Sequence, residues 1–140
     1  SGHLSQHVVA DVLKNGVYHD HVRRLQQSYQ HKRDVMLSAA DEYFRGIPDV
    51  SWRRPGGGLY VWMTLPDHIR TGFSDSLFRE ATARQKVMYV PGELCYPSTW
   101  ADRPRNQMRL SFGILDDAGI REGMRRLSVA VRNVMSGQHL

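Results

Sequence analysis

The stretch NQMRLSFG, residues 106–113, decides the fold of this 140-residue chain. Its methionine, leucine and phenylalanine alternate with glutamine, arginine and serine, and this period of two is typical of a β-strand with one buried face. Arg109 stands in the middle of the strand, on the polar side. The pattern therefore predicts a strand packed on a core, and it leaves open what the charged side chain of Arg109 binds.

The composition is typical of a single folded domain. Hydrophobic residues make up 41% of the 140 residues and aromatic residues 9%, which suits one compact core. No apolar run approaches the ~20 residues that a membrane span needs, so no membrane partner is predicted. The single cysteine, Cys95, excludes an intramolecular disulfide. Because the polar start of the chain also lacks a secretory pattern, we expect a cytoplasmic protein.

The net charge of +5 raises the question of a nucleic-acid partner. The positive charge comes from 16 arginines and three lysines, which are spread along the chain and interleaved with acidic residues. A nucleic-acid-binding module more often concentrates its cations and adds aromatic stacking positions. We therefore interpret the charge as a basic solvated surface and predict no nucleic-acid partner.

The first part of the chain predicts two helices. Apolar residues in Leu4–Leu13 form a short helical stripe, which Asn15–Gly16 ends. A longer amphipathic pattern covers Tyr18–Phe44, and at 1.5 Å per residue such a helix would span roughly 40 Å, more than the diameter of a small domain. We expect residues 1–45 to form a helical connection to another domain or partner, and residues 46–136 to form an α+β core.

The rest of the chain predicts a small sheet with helices. Two strand-like runs flank Gly56–Gly58 and predict a hairpin or a sharp bend. Residues 92–106 lack periodicity, and a loop of this length in a compact domain is usually functional or mobile. The predicted elements are strands at 50–55, 59–66, 87–92 and 106–113, a helix capped by Ser74, and a last helix from Asp116 or Asp117.

This order, β-β-α-β-β-α, predicts an α+β fold. We expect a small, mainly antiparallel sheet that is covered by helices on one face and preceded by a short and a long helix. The last helix is predicted to end just before Gly137. Its apolar positions, which are predicted to be buried, are Ile120, Met124, Leu127, Val131 and Val134.

The sequence lacks the familiar catalytic and metal-binding patterns. His19 and His21 are two residues apart, which on a helix separates them by about 200°, so no metal site is predicted. The run Gly56–Gly58 precedes a strand rather than opening a helix, which argues against a phosphate loop. Cys95 has no obvious base near it and is interpreted as an unreactive small residue.

Arg109 is the strongest candidate for a binding residue. Its planar guanidinium can bind a carboxylate through two parallel hydrogen bonds, which lysine cannot reproduce. Two alternatives explain the pattern as well: Arg109 could form a structural ion pair with an internal carboxylate, or its side chain could extend to the rim of the domain. The residues alone leave these alternatives open.

Four segments together resemble the C-terminal part of class I/II aminotransferases, the pyridoxal-phosphate (PLP) enzymes of fold type I. They are RPGGGLYVWMTLP, LFREATARQKVMYVPGELCYP, NQMRLSFG and IREGMRRLSVAV. The stretch YHDHVRRLQQSYQHKRDVML, residues 18–37, is similar to the helix pattern that precedes them in the family. The resemblance covers nearly the whole chain. It is strongest to the 2-aminoadipate and aromatic aminotransferase branch, which includes the effector domains of MocR-type regulators.

The resemblance implies roles for individual residues. Arg109 matches the arginine that binds the α-carboxylate of the substrate, an α-amino acid or the corresponding 2-oxo acid. Gly57 and Gly58 would let the backbone approach the active site, although a bend at a sheet edge explains them equally well. Tyr96 and Trp100 would line the substrate pocket, and the alternative is that these loop aromatics pack on the surface.

The resemblance also implies that part of the protein lies upstream. The family's PLP-binding lysine stands in an S-x-x-K context, and none of Lys14, Lys32 and Lys86 does. The chain thus resembles the C-terminal small domain of a homodimeric aminotransferase, separated from its N-terminal large domain. The resemblance implies that the chain carries no catalytic residue and no covalently bound PLP, so we expect it to be inactive alone. The alternatives are the effector domain of a MocR/GntR-type regulator and a stand-alone carboxylate-binding module.

One departure from the family pattern concerns the backbone. Relatives usually have glycine where this chain has Lys86, just before a predicted strand. We expect Lys86 to adopt a left-handed backbone conformation, or the preceding helix to end differently.

Overall fold

The computed structural model of the chain describes residues 16–53, 60–111 and 113–139. Their order of elements after the first helix is β-β-α-β-β-α, which confirms the α+β prediction. The predicted helix at Leu4–Leu13 lies outside the described residues. The elements are α1 (Val17–Phe44), β1 (Ser51–Arg53), β2 (Tyr60–Thr64), α2 (Ser76–Arg79, continued by a π-helical turn at Glu80–Arg84), β3 (Val90–Pro91), β4 (Gln107–Ser111) and α3 (Asp117–Met135).

The strands of the described residues form one antiparallel sheet in the order β1-β2-β4-β3. β1 pairs with β2, with Trp52 opposite Met63, so the predicted hairpin is confirmed, although its connector lies outside the described residues. β4 lies between β2 and β3, with Arg109 opposite Trp62 on one side and opposite Val90 on the other. The arginine therefore stands on a central strand.

One face of the sheet is buried by the helices. Val61 and Met63 of β2 and Met108 and Leu110 of β4 are at most 4% exposed, because alternate strand residues point to the same face. The predicted core positions of α3 are confirmed except for Val134, which is only partly buried because it lies in the last turn of the helix. The helices complete this core with Met36, Ala40, Phe44, Leu77, Ile120, Met124, Leu127 and Val131.

The long helix α1 matches the prediction in length, and its two halves differ in burial. The described chain divides between His31 and Lys32 into two units. The half after Lys32 buries Val35, Met36, Ala39, Ala40 and Phe44. The half before it is mostly exposed, including the apolar side chains of Val17, Tyr18, Leu25 and Tyr29. No helix in the described ranges is long and apolar enough to cross a membrane.

The helix α2 begins one residue later than predicted. Asp75, rather than Ser74, precedes the first helical residue, and it makes no side-chain cap bond. Its carboxylate instead accepts a hydrogen bond from the backbone N–H of Gly72 at 2.9 Å, so it closes the preceding turn. The π-helical turn after α2 places the buried carboxylate of Glu80 2.9 Å from the side-chain nitrogen of Asn133, which links α2 to α3.

Both predicted ends of α3 are confirmed. At its start, the carboxylate of Asp116 accepts a hydrogen bond from the backbone N–H of Gly119 at 2.8 Å. At its end, Gly137 has a φ of +79°. The N–H of Gln138 donates to the carbonyl of Asn133 at 2.8 Å, as is typical of a helix that glycine terminates.

The strand predicted at 87–92 is shorter in the structure. Only Val90–Pro91 pairs with β4, and a 3₁₀ turn at Gly92–Cys95 follows directly. Pro91 has no N–H to extend the ladder, which explains the short strand. Before the strand, Lys86 has a φ of +56°, so the predicted left-handed conformation is confirmed.

Candidate functional site

The face of the sheet opposite the core carries polar and aromatic side chains. Tyr60 of β2 stands opposite Ser111 of β4, Trp62 opposite Arg109, and Thr64 opposite Gln107. All six are partly or largely exposed. We call these six residues the open face, and they include the arginine that the sequence singled out.

Arg109 has no acceptor for its guanidinium among the described residues. Its Nε is buried without a hydrogen-bond partner, and none of the ion pairs in the described ranges includes it. The guanidinium carbon lies 5.4 Å from the centre of the Tyr60 ring, a cation–π contact. A buried donor without an acceptor costs about 1–3 kcal/mol. The described residues therefore leave a hydrogen-bond donor of Arg109 without an acceptor, and an incoming anion could supply that acceptor.

Trp62 carries the second unpartnered donor of the open face. Its indole Nε1 is buried and finds no hydrogen-bond partner within the described part of the chain. Residues directly opposite in an antiparallel pair have Cβ atoms about 4.5–5.5 Å apart, and Trp62 is directly opposite Arg109. Two adjacent side chains thus hold polar N–H groups without acceptors, which an internal ion pair of Arg109 does not explain.

The loop at residues 92–106 places aromatic rings beside this pair. Tyr96 packs edge-to-face on Trp62 with ring centres 6.1 Å apart, and Trp100 packs edge-to-face on Tyr96 at 5.3 Å. The hydroxyl of Tyr96 donates to Oε1 of Gln107 at 2.7 Å. Tyr96 is partly buried, whereas Trp100 is 46% exposed. The first of the two predicted loop aromatics thus lies against the open face, and the second lies beyond it.

Both ends of the loop are fixed to the sheet. Arg105 pairs with Glu93 across the loop at 2.7 Å. The buried hydroxyl of Thr71 lies 3.1 Å from the carbonyl of Arg105 and 2.7 Å from that of Gln107. A Cβ at Gly92 would lie 2.7 Å from Cβ of Gln107, so only glycine allows the loop to start this close to β4. The loop aromatics are therefore held from both ends.

The structure adds residues that the sequence reasoning missed. Arg109 was singled out, but Trp62 and Gln107 were not. The period of two that places Arg109 on the polar side of β4 also places Gln107 there, and the pairing of β2 with β4 adds Trp62. Gly57 and Gly58 lie outside the described residues, so their role stays a prediction.

A cavity of about 410 Å³ lies on the helix side of the sheet, between β4 and α3. Its lining is mainly apolar and includes Leu110 and Met124. At its rim Glu122 pairs with Arg126 at 2.9 Å, and hydrogen bonds from Arg125 and Arg126 lower the pKa of Glu122 to about 2. These charged groups are already paired, so the described lining of the cavity has no unsatisfied buried donors like those of Arg109 and Trp62. The open face is therefore the better candidate site.

No protein-family model matches the chain. It is 35% identical over 134 residues to aromatic-amino-acid aminotransferase 1 of Thermococcus litoralis, covering 94% of this chain and 30% of that protein. The crystal structure of LysN, the α-aminoadipate aminotransferase of Thermus thermophilus complexed with N-(5'-phosphopyridoxyl)-L-leucine, superposes with a TM-score of 0.76 at 34% identity. That match covers 95% of this chain and 32% of the LysN chain. The chain is homologous to aminotransferases.

The relationship to aminotransferases confirms the resemblance found in the sequence and the small-domain fold that it implied. The chain spans about 30% of the length of the curated aminotransferases that it matches. The HTH-type transcriptional regulator NorG of Staphylococcus aureus is also 31% identical over 131 residues, covering 94% of this chain and 27% of the regulator. Domains similar to this aminotransferase homologue therefore occur in enzymes and in a regulator.

Proposed function

We propose that this chain is the C-terminal small domain of a PLP-dependent aminotransferase and that Arg109 binds the α-carboxylate of its substrates. The supporting observation is the Arg109 guanidinium, which the open face holds without an acceptor among the described residues. A planar guanidinium binds a carboxylate through two parallel N–H···O bonds. Because an α-amino acid and its 2-oxo acid both carry this carboxylate, one receptor serves the donor and the acceptor of the amino group.

The position of Arg109 on a central strand makes it a rigid receptor. β2 and β3 pair with β4 on either side of it, and the Tyr60 ring lies beneath its guanidinium. A carboxylate bound there would fix the orientation of the substrate's Cα–H bond, which is a positioning effect. The residues of this chain thus bind and orient the substrate rather than carry out a bond-breaking step.

The remaining chemistry would come from a part of the protein outside this chain. Bound PLP carries the amino group between the two substrates. The open face contains no lysine among its described residues, and the chain's lysines lack the S-x-x-K context. The described residues therefore fit the substrate carboxylate and not the attachment of the cofactor. Residues 1–45 would connect to the PLP-binding domain, and the 140-residue chain alone would transfer no amino group.

The test is to replace Arg109 in the complete protein that carries this chain. Arg109→Ala removes two charge-assisted hydrogen bonds worth about 1.5–3 kcal/mol each, so we expect the KM for an L-amino acid to rise about 100-fold or more. Arg109→Lys keeps the positive charge but cannot form two parallel hydrogen bonds to a carboxylate, so an intermediate KM is expected. Arg45→Ala is the matched control, because Arg45 directly follows α1 and forms an exposed ion pair with Asp41.

Cofactor absorbance and the urea unfolding midpoint serve as checks that each variant is folded and loaded with PLP. The 140-residue chain, assayed in parallel with added PLP, is expected to show no amino transfer. An Arg109→Ala protein with the wild-type KM would refute the assignment of Arg109. Amino transfer by the isolated chain would refute the domain assignment.

The similarity to NorG supports a second candidate, the effector domain of a transcriptional regulator. In that case Arg109 would bind the carboxylate of an effector without turnover. The two candidates separate when an L-amino acid is added to the PLP-loaded complete protein. An aminotransferase releases one equivalent of 2-oxo acid. A regulator binds the amino acid without forming 2-oxo acid, and it also binds DNA from its own promoter region.

A further inference from the structure

We infer that Gln107 is a positioning residue that sets the side-chain selectivity of the Arg109 site by holding Tyr96 on the open face. The inference rests on the proposed function. Arg109 would bind the group that all α-amino acids share, so it cannot distinguish one side chain from another. Tyr96 packs edge-to-face on Trp62, the register partner of Arg109, and a side-chain hydrogen bond from its hydroxyl holds it there.

The aromatic contacts of Tyr96 leave the direction of its ring loosely fixed. It meets Trp62 at an interplanar angle of 80° and Trp100 at 79°, so both contacts are edge-to-face. Such pairs contribute about 0.5–1.5 kcal/mol and tolerate a range of ring positions. The hydrogen bond from the Tyr96 hydroxyl to Gln107 Oε1, at 2.7 Å, is the directional contact. Without it, the ring would keep its neighbours but lose its fixed position.

Gln107 is itself well placed to act as an anchor. It pairs with Thr64 at the end of the ladder between the two central strands, and its Nε2 lies 3.4 Å from the Thr64 hydroxyl. The close approach of Gly92 packs the start of the loop directly on Gln107. The amide therefore transmits the rigidity of β4 to a ring that directly follows the 3₁₀ turn of the loop. Gln107 would act through Tyr96 and would not itself touch the reacting atoms.

The experiment compares two amino acids that share the α-carboxylate and differ in side-chain size. In the complete PLP-loaded protein, single-turnover conversion of the cofactor is followed with L-leucine and with L-alanine. Gln107→Leu, which keeps a similar volume and removes the acceptor, is expected to lower the leucine-to-alanine ratio of kcat/KM about threefold to tenfold, the effect of one hydrogen bond. Arg109→Ala is expected to lower both rates and leave their ratio nearly unchanged.

Two further variants separate positioning from general damage to the fold. Tyr96→Phe removes the hydroxyl and should reproduce the ratio of Gln107→Leu. Adding Gln107→Leu to Tyr96→Phe should then change the ratio no further, because the two residues act through one bond. Ser98→Ala is the control in the same loop and should leave the ratio unchanged, because Ser98 accepts a hydrogen bond from Arg103 through its backbone carbonyl, which alanine keeps.

The outcomes distinguish this inference from the proposed function. If Arg109→Ala lowers both rates but Gln107→Leu leaves the ratio at the wild-type value, the role of Gln107 is refuted and the function stands. Additive effects of Gln107→Leu and Tyr96→Phe on the ratio would also refute it. If Arg109→Ala leaves both rates at their wild-type values, the proposed function fails and the inference fails with it.

Discussion

The two faces of strands β2 and β4 share one backbone and differ in how their polar groups are satisfied. On the covered face, Val61, Met63, Met108 and Leu110 are apolar and at most 4% exposed. On the open face, the register partners Trp62 and Arg109 each hold a buried N–H without an acceptor in the described part of the chain. Unsatisfied donors are costly, and they persist where the rest of the structure is stable enough to hold them. The covered face provides that stability.

The comparison is tested most strongly by two neighbours on one strand. Met108→Ala should destabilise the chain by about 2–5 kcal/mol, because it opens a cavity in a close-packed core. Arg109→Ala should change the free energy of unfolding by less than about 1 kcal/mol, because it removes a cation–π contact at a partly exposed site and also an unsatisfied donor. Urea unfolding of both variants measures the difference.

An unchanged m value in that experiment would show that the unfolded states are comparable. Equal losses of stability for Met108→Ala and Arg109→Ala would break the comparison, because Arg109 would then be a structural residue. A loss above about 3 kcal/mol for Arg109→Ala would have the same meaning, since breaking a buried ion pair costs that much.

A buried polar group on the covered side sharpens the comparison, because its partner is present. Tyr89 is 3% exposed, and its hydroxyl donates to the carbonyl of Thr71 at 3.0 Å. Burial raises the pKa of Tyr89 well above its ordinary value, and the carboxylates of Asp75 and Glu93 raise it further. The folded protein therefore keeps this proton in a pH range where the unfolded chain, with a tyrosine pKa of about 10, has lost it.

The sign of the pH effect follows from that difference. The contribution of Tyr89 is complete below about pH 10 and falls as the pH rises above it, with a slope approaching about 1.4 kcal/mol per pH unit. Tyr89→Phe removes this titration and one hydrogen bond of about 1 kcal/mol. We expect wild type to be the more stable protein at about pH 8 and the advantage to shrink by about pH 11, as measured by urea unfolding. A constant difference across this range would contradict the prediction.

Local periodicity explains which parts of the molecule could be predicted from the sequence. The alternation in β4, the hairpin partner of β2 and both ends of α3 depend on residues a few positions apart, and all were predicted. The position of Arg109 on the face opposite Met108 follows from the same period of two. These features need no knowledge of long-range contacts.

Contacts between distant or irregular segments could not be predicted in this way. The bond between Tyr96 and Gln107 joins a loop without periodicity to a strand. The start of α2 was misplaced because Ser74 and Asp75 are both good N-cap residues. The Asp75 carboxylate accepts a hydrogen bond from the backbone N–H of Gly72, a contact that the sequence pattern does not predict. The unpartnered state of Trp62 Nε1 depends on every side chain around it, so it appears only in the folded structure.

The smallest expected effect concerns the turn that leads from the helical layer into β3. Lys86 is exposed and has a φ of +56°, where a Cβ is strained and glycine is not. Lys86→Gly relieves that strain at some cost in unfolded-state entropy, so a net gain of about 0.5–1 kcal/mol in the free energy of unfolding is expected. Lys86→Ala is the matched control, because it removes the same charge and keeps the Cβ. If Lys86→Ala raised the free energy of unfolding as much as Lys86→Gly, the benefit would come from the lost charge. The backbone at this turn would then carry no strain comparable in energy to the unsatisfied donors of the open face.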